Sequence, residues 1–574
     1  MVHYKWVALS NTTLGALMAT IDSSILVISL PAIFKGLSVN PLVAGNTSLL
    51  LWLLLGYMIT SSVVVVTVGR LSDMFGRVRI YNLGFLIFAV ASTLLYISSY
   101  LFSGAWGVIM LILLRLVQGL GGGFLIANSA AIITDAFPEN ERGKAMGINQ
   151  IAAIGGSIVG LLVGGVLASI DWHLIFLISV PVGIIGAIWA YAALRELATI
   201  RKKQQIDLLG NVTFAVGITL LLLSMTYALQ PYDGSSMGWA NPYVEAGIAA
   251  SIISFIVFAY VETTARDPMF RLWLFKIRAY AAGCLSMLLA GIARGGLQFM
   301  LVIWLQGIWL PLHGVNFEVT PFYAAIDMIP LVAGFLAAGP VSGYLSDKYG
   351  ARLFTTGGML LNTIGFLLLA TMPGNFDPTY FAAVIFFMGV GQGMFAAPNT
   401  ASIMSSVPPE YRGVASGMRA TLMNVSFMVS ITLFFTFLAL GVSSTLPNAL
   451  YHGLIAQNVS STVALQISKL PPTSALFSAL LGYNPMKTLL PANVLSALPK
   501  QNADTILGNT FFPSLILGPF VDGIHTVFLA GASLTLLSAI SSLLRGRRYT
   551  HKEVIRADER RVEKLESEID INKK

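Results

Sequence analysis

Runs of twenty or more apolar residues, broken by short polar segments, recur along this sequence. A helix needs roughly 20 such residues to cross the hydrocarbon of a bilayer. The runs lie near 6–34, 47–68, 80–102, 106–134, 144–168, 174–194, 208–230, 243–264, 279–305, 321–342, 353–372, 380–404, 414–441 and 520–544. This patterning predicts an all-α integral membrane protein with fourteen spans. Composition agrees, since only 10% of the residues are charged, whereas a soluble domain carries about 25%. The first run, Trp6 to Phe34, is too long for a cleavable signal and contains Asp22, so it reads as the first span.

An even number of spans leaves both termini on one side. One set of loops carries Arg70, Arg77, Arg79, Arg142, Lys144, Arg195, Arg201, Lys202, Lys203, Arg266, Arg271, Lys276, Arg278, Lys348, Arg352 and Arg412. The opposite loops carry Lys35, Lys469, Lys487 and Lys500. Basic loops stay cytoplasmic, so a multi-pass protein of the cell membrane with both termini in the cytoplasm is expected. That asymmetry accounts for the net charge of +8 through the bilayer rather than nucleic acid. The lone Cys284 rules out an internal disulfide.

The chain repeats itself. Gly69-Arg70-Leu71-Ser72-Asp73-Met74-Phe75-Gly76-Arg77 reads as a polar loop between two runs, and its frame returns at Gly343-Tyr344-Leu345-Ser346-Asp347-Lys348-Tyr349-Gly350, 274 residues later (343 − 69). Gln118-Gly119 returns as Gln392-Gly393 at the same offset (392 − 118 = 274). Two related halves are expected: a six-helix bundle at 1–195, two inserted helices at 196–278, and a second six-helix bundle at 279–544. Within the second bundle, 442–519 is a long outer loop whose dense prolines forbid a single spanning helix. Short amphipathic helices at the outer surface suit it. Residues 545–574 form a charged cytoplasmic tail.

Asp22 lies mid-run. A carboxylate at the bilayer centre costs about 2.5–3.5 kcal/mol unless it faces water, finds a partner or takes a proton. It is either a proton carrier or a packing residue hydrogen-bonded between helices. Arg115, in the fourth run, is always charged and needs a partner; Asp22 is the natural one, directly or through water. After Arg115 comes Gly121-Gly122-Gly123, which lets a neighbouring helix approach. Gly156, Gly160 and Gly164, with Gly165 beside them, line one face of the fifth run as a packing seam and a hinge or seal between halves. The repeated stretch offers a cytoplasmic gate: Gly69, Asp73, Gly76 and Arg77 with Gly343, Asp347 and Gly350, the aspartates capping a facing helix or pairing with an arginine. Trp52, Tyr57, Gln118, Arg294, Gln298, Asp327 and Asn424 are candidates for a substrate cavity, against the alternative of packing. No metal spacing, nucleophile elbow or cofactor motif occurs, so neither an enzyme nor a cofactor is expected.

These residues carry a resemblance. The stretch 69–79 is similar to the G-x-L-a-D-r-x-G-r-k/r loop of the major facilitator superfamily, through Gly69, Leu71, Asp73, Gly76, Arg77 and Arg79. The second copy matches in Gly343, Leu345, Asp347 and Gly350, and Arg115, Gln118 and Gly119 fill the family's R-x-x-Q-G motif. More narrowly, the chain resembles the fourteen-helix drug:proton antiporter branch, the multidrug-efflux type that takes quaternary ammonium compounds. Asp22, Ile25, Leu30 and Pro31 fit its helix-one pattern, with Ser24 for Thr and Val27 for Asn. Gly156, Gly160, Gly164 and Gly165 fit its helix-five pattern, with Leu161 where proline stands. The resemblance implies the major facilitator fold and a monomer that exchanges protons for small amphipathic, often cationic, molecules. It implies that Asp22 couples protons to cargo, that Arg115 modulates its protonation, and that Asp73 and Arg77 belong to the latch. The rivals are a proton symporter or facilitator for one metabolite, and a receptor or scaffold signalling through the tail.

Overall fold

The computed structural model describes residues 4–40, 46–197, 207–233, 235, 237–265, 268, 270–408 and 411–546, apart from scattered side chains within the helices. The first half comprises α1 (Tyr4–Gly36), α2 (Asn46–Phe75), α3 (Arg77–Leu101), α4 (Gly104–Ala136), α5 (Glu139–Ile170), α6 (Leu174–Leu177) and α7 (Ser179–Ala193). Two helices follow, α8 (Leu208–Ala228) and α9 (Pro242–Thr264). The second half begins with α10 (Arg278–Trp304), α11 (Leu310–Leu312), α12 (Thr320–Asp327), α13 (Ile329–Tyr349), α14 (Ala351–Ala370), α15 (Pro378–Ser405) and α16 (Arg412–Ser443). Six short helices come next: α17 (Leu446–Ile455), α18 (Ser461–Ile467), α19 (Pro472–Leu480), α20 (Met486–Leu489), α21 (Ala492–Ala497) and α22 (Lys500–Leu507). The last is α23 (Phe511–Leu543). No strand forms among the described residues. Twelve segments among them are long and apolar enough to cross a membrane. Helices α2 and α5 contribute shorter described apolar stretches, Leu51–Val65 and Gly155–Ile170. Leu86, Val90, Leu94 and Ile97 form an exposed apolar stripe on α3, as a helix facing lipid requires.

The polar stretch at 69–79 is not a loop. Helix α2 continues to Phe75, and the chain turns on Gly76 alone, at φ 104°. Its copy turns on Gly350, at φ 90°, between α13 and α14. Only glycine takes such angles without strain. The serines repeat too: the Ser72 hydroxyl donates to the Gly69 carbonyl at 2.7 Å, and Ser346 to Gly343 at 2.8 Å. Asp73 and Asp347 therefore sit in the last turns of their helices rather than past them. Their side chains lie outside the described residues, as do those of Arg70, Arg142, Lys144 and Arg412. The charged tail beyond residue 546 lies outside them altogether.

Prolines divide other runs. Pro181 offers no N–H to the Leu177 carbonyl, and α6 breaks from α7 there; Pro330 does the same to Ile326, and α12 breaks from α13. The ninth run outlasts its expected end at 305. Pro311 cannot serve the Gly307 carbonyl, and the helix widens into a π-turn, Leu305–Trp309, before ending at Leu312. The stretch 442–519, expected to be an outer loop, forms short helices, but not all at the surface. Thr473, Phe477, Ser478 and Leu480 of α19 are fully buried. Phe477 stacks on Phe435, ring centroids 4.7 Å apart. Gly307 in the π-turn leaves room for the α19 backbone, since a Cβ there would stand 3.1 Å from Ala479. The segment Pro472–Leu480 is apolar or small all round, so it behaves as a core helix rather than an amphipathic one.

The pairing of helices repeats between halves. Helix α1 packs along α5, α2 and α3 along α4, and α3 along α7. Likewise α10 packs along α16, α13 and α14 along α15, and α14 along α23. Helices α8 and α9 pair with each other, and α8 is tied to α2 where Thr67 donates to Asn211 at 2.6 Å. At the end away from Gly76, the halves meet through Gly165 against Phe322 and through Lys35 with Glu318 at 2.5 Å. Asn40 also donates to Tyr483, just beyond α19, at 3.2 Å. At the other end, Met146 of α5 packs on the cluster containing Tyr280, Ala415 and Met418.

Candidate functional site

Arg115 and Gln118 are three residues apart on α4, so their side chains share a face. That face looks at α1, where Asp22 stands near the middle of a 33-residue helix. The Arg115 guanidinium donates to Asp22 Oδ2 in a direct ion pair. Gln118 bridges the pair: its Oε1 accepts from Arg115 at 2.5 Å, and its Nε2 donates to Asp22 Oδ1 at 2.8 Å. The same amide nitrogen donates to Ser92 of α3 at 2.8 Å, and Ser179, at the break before α7, donates to Asp22 Oδ1 at 3.4 Å. Tyr57 of α2 lies under the guanidinium, which sits 4.7 Å from the ring centroid. Asp22 and Arg115 are each 1% exposed and Gln118 is 0% exposed, so in this conformation the cluster is closed to water. Sequence reasoning named Asp22, Arg115, Gln118 and Tyr57 but assigned the last two to the substrate cavity; it missed Ser92 and Ser179. Nothing distinguishes those serines in sequence from others in the spans.

Glycines bring these helices together. A Cβ at Gly119 would stand 2.5 Å from the Tyr57 carbonyl, and one at Gly122 would stand 2.3 Å from the Tyr57 hydroxyl. The seam on α5 works the same way against α1. Added Cβ atoms at Gly156, Gly160 and Gly164 would meet Thr20 at 2.3 Å, Ile21 at 2.6 Å and Ile28 at 2.6 Å. Gly165 turns to the other half, where a Cβ would lie 2.9 Å from Phe322. The seam thus joins the helix that bears Asp22 to the contact between halves.

A second feature lies between the halves. A cavity of about 40 Å³ is lined by Ser157 and Leu161 of α5 and by Arg294, Gln298, Met328, Leu331, Val332, Phe335 and Gln392 of the second half. Arg294 and Gln298 stand there as cavity residues. Asp327 does not: it turns away from its neighbour Met328 and lines a separate recess of about 120 Å³ with Trp309, Pro330 and Phe376. Trp52 packs against the apolar core, and Asn424 is half-buried on α16; neither lines the cavity.

At the Gly76 end, Arg77 holds Asp135, the penultimate residue of α4, through bonds of 2.7 and 2.8 Å. Glu196 accepts from the Val78 N–H at 2.9 Å, which satisfies one of the free amides opening α3. Asp135 and Glu196 went unnamed in the sequence because their partners lie 58 and 118 residues away.

A family profile described as Major Facilitator Superfamily matches residues 12–308 and 292–431. The riboflavin transporter RibZ of Clostridioides difficile is 30% identical over 410 residues, covering 71% of this chain and 82% of that protein. Multidrug resistance protein 3 of Bacillus subtilis is 26% identical over 400 residues, covering 70% and 73%. Among solved structures, the proton:xylose symporter XylE superimposes with a TM-score of 0.51 at 15% identity, over 85% of this chain and 96% of that one. At that identity the likeness is one of fold.

Proposed function

We infer that this chain, which belongs to the Major Facilitator Superfamily, exports small amphipathic molecules in exchange for protons, by opening one central cavity alternately to the two sides of a cell membrane. It is a transporter, a multi-pass membrane protein and not an enzyme. In our reading the chain has fourteen spans with both termini cytoplasmic, divided as 1–195, 196–278 and 279–544. The 30- and 32-residue lengths of α2 and α5 support that number. The basic Gly76 end is then the cytoplasmic one.

One observation carries the proposal, the buried cluster of Asp22, Arg115 and Gln118. A proton on Asp22 removes the acceptor that Arg115 relies on. Leaving one member of a buried ion pair without its partner costs about 3–5 kcal/mol. Protonation therefore favours a rearrangement of α1 against α4 that returns Arg115 to water or to a new partner. Because α1 rides on the glycine seam of α5, which touches the second half through Gly165, such a movement reaches the central cavity. Each proton supplies about 1.4 kcal/mol per pH unit and about 2.3 kcal/mol per 100 mV. Arg77 with Asp135, and the paired turns at Gly76 and Gly350, form the cytoplasmic latch in this scheme. The relative named as a multidrug resistance protein supports export. The relative named as a riboflavin transporter favours a second reading, movement of one specific metabolite.

The test is flux in proteoliposomes with an imposed pH gradient, using a panel of amphipathic dyes. Asp22→Asn is expected to abolish pH-driven flux while the protein still folds and elutes as a single species in detergent, at a lowered unfolding temperature because Arg115 loses its buried partner. Undiminished proton-driven flux in that variant refutes the role of Asp22. The two directions separate in everted vesicles, where adding an exported cargo should dissipate an inside-acid gradient.

A further inference from the structure

The two halves treat their repeated glutamines differently. Gln118 sits in a cluster where an arginine meets an acid, whereas its copy Gln392 lines the central cavity with Arg294. Arg294 has no hydrogen-bond or ion-pair partner among the described residues. Among the described residues that line the cavity none is an acid: they are one arginine, two glutamines, one serine and five apolar side chains. A permanent cation in an apolar wall needs a counter-charge, and the described residues do not provide one.

We propose that the cargo provides it: the transported molecule carries an anionic group, a carboxylate, sulfonate or phosphate ester, that docks on the Arg294 guanidinium. This rests on the reading of the cavity as the transport site. Gln298 and Gln392 offer further donors to the oxygens of such a group. Leu161, Leu331, Val332 and Phe335 receive the apolar remainder. A guanidinium presents a planar fork of donors that fits two oxygens at once. The same charge repels cationic cargo, so Arg294 opposes the cationic preference that the family resemblance implies. At about 40 Å³ the cavity holds only a few water molecules in this conformation. Entry of cargo therefore belongs to the opened states.

1-Naphthalenesulfonate and trimethyl(1-naphthyl)ammonium share one ring system and carry opposite charges, and the sulfonate presents the oxygens that the guanidinium fork requires. The full chain, purified in detergent, is titrated with each by calorimetry, with micelle-only titrations subtracted. The sulfonate is expected to bind at least about tenfold more tightly, as unit-charge interactions at short range in a partly buried site allow. Arg294→Gln should erase the preference and Arg294→Lys should keep part of it. Equal binding, tighter binding of the ammonium, no binding of either ion, or a preference that survives Arg294→Gln would each overturn the proposal. Should Arg294→Gln fail to fold, the wild-type and Arg294→Lys titrations still decide. No pH gradient is present, so this readout is independent of whether Asp22 couples protons.

Discussion

On Asp22 one carboxylate oxygen faces Arg115 and the other faces Gln118 and Ser179. The bonds are not equal. Gln118 is fully buried and serves acid and base together, so Gln118→Ala leaves both short of a partner. Its expected cost is about 1–3 kcal/mol. The Ser179 bond is 3.4 Å long, and Ser179→Ala should cost no more than about 0.5 kcal/mol. Thermal unfolding in one detergent ranks the two; equal losses would show that the bridging amide has no special standing. The cation–π contact of Tyr57 adds to the same cluster, which explains why a tyrosine foreseen as a cavity residue is fully inside the first half.

Among the elements, the paired turns carry the sharpest contrast. Gly76 and Gly350 take nearly the same backbone angles, φ 104° and 90°, so an alanine at either is strained by about 1–3 kcal/mol. Among the described residues only Gly76 has a side chain that the new Cβ would meet, Glu196 Oε2 at 2.7 Å; at Gly350 none of them lies within 4 Å. Gly76→Ala is expected to lower the unfolding temperature more than Gly350→Ala, because it also disturbs the Glu196 bond to Val78. The reverse order would refute the role of Glu196. The glycine-and-aspartate frame was readable as a repeat in the sequence, and its turn chemistry follows from that. Its partners were not, since Asp135 and Glu196 reach the turn only through tertiary packing. Helix α19 shows the same limit. Its prolines announced short helices, whereas its burial against Phe435 and Gly307 depends on the cleft that the folded bundle leaves open.

For the whole molecule, the proposed alternating access requires that contacts at the end away from Gly76, the outer end in that reading, part during the cycle. Lys35 and Glu318 bridge the halves there, both well exposed. Surface pairs of this kind contribute about 0–1 kcal/mol, little enough to break on each turnover. Lys35→Cys with Glu318→Cys, joined by a bifunctional maleimide, is expected to stop transport, and either single variant should transport normally. The one native cysteine, Cys284, is 1% exposed and will not compete for reagent. Full transport by the cross-linked protein would mean that the outer end does not open.

Periodicity and composition alone determined that this chain is helical, lives in a bilayer and is built from two related halves. Spans, repeats and charge asymmetry are properties of neighbouring residues and of matching segments, and they persist however the helices pack. Tertiary structure decided which charges meet. Asp22 lies 93 residues from Arg115, and only the docking of α1 on α4, across glycines that admit close approach, joins them. The same packing left Arg294 facing a cavity with no acid among the described residues that line it. A buried charge is defined by what other helices bring to it, and that is settled by the assembled bundle.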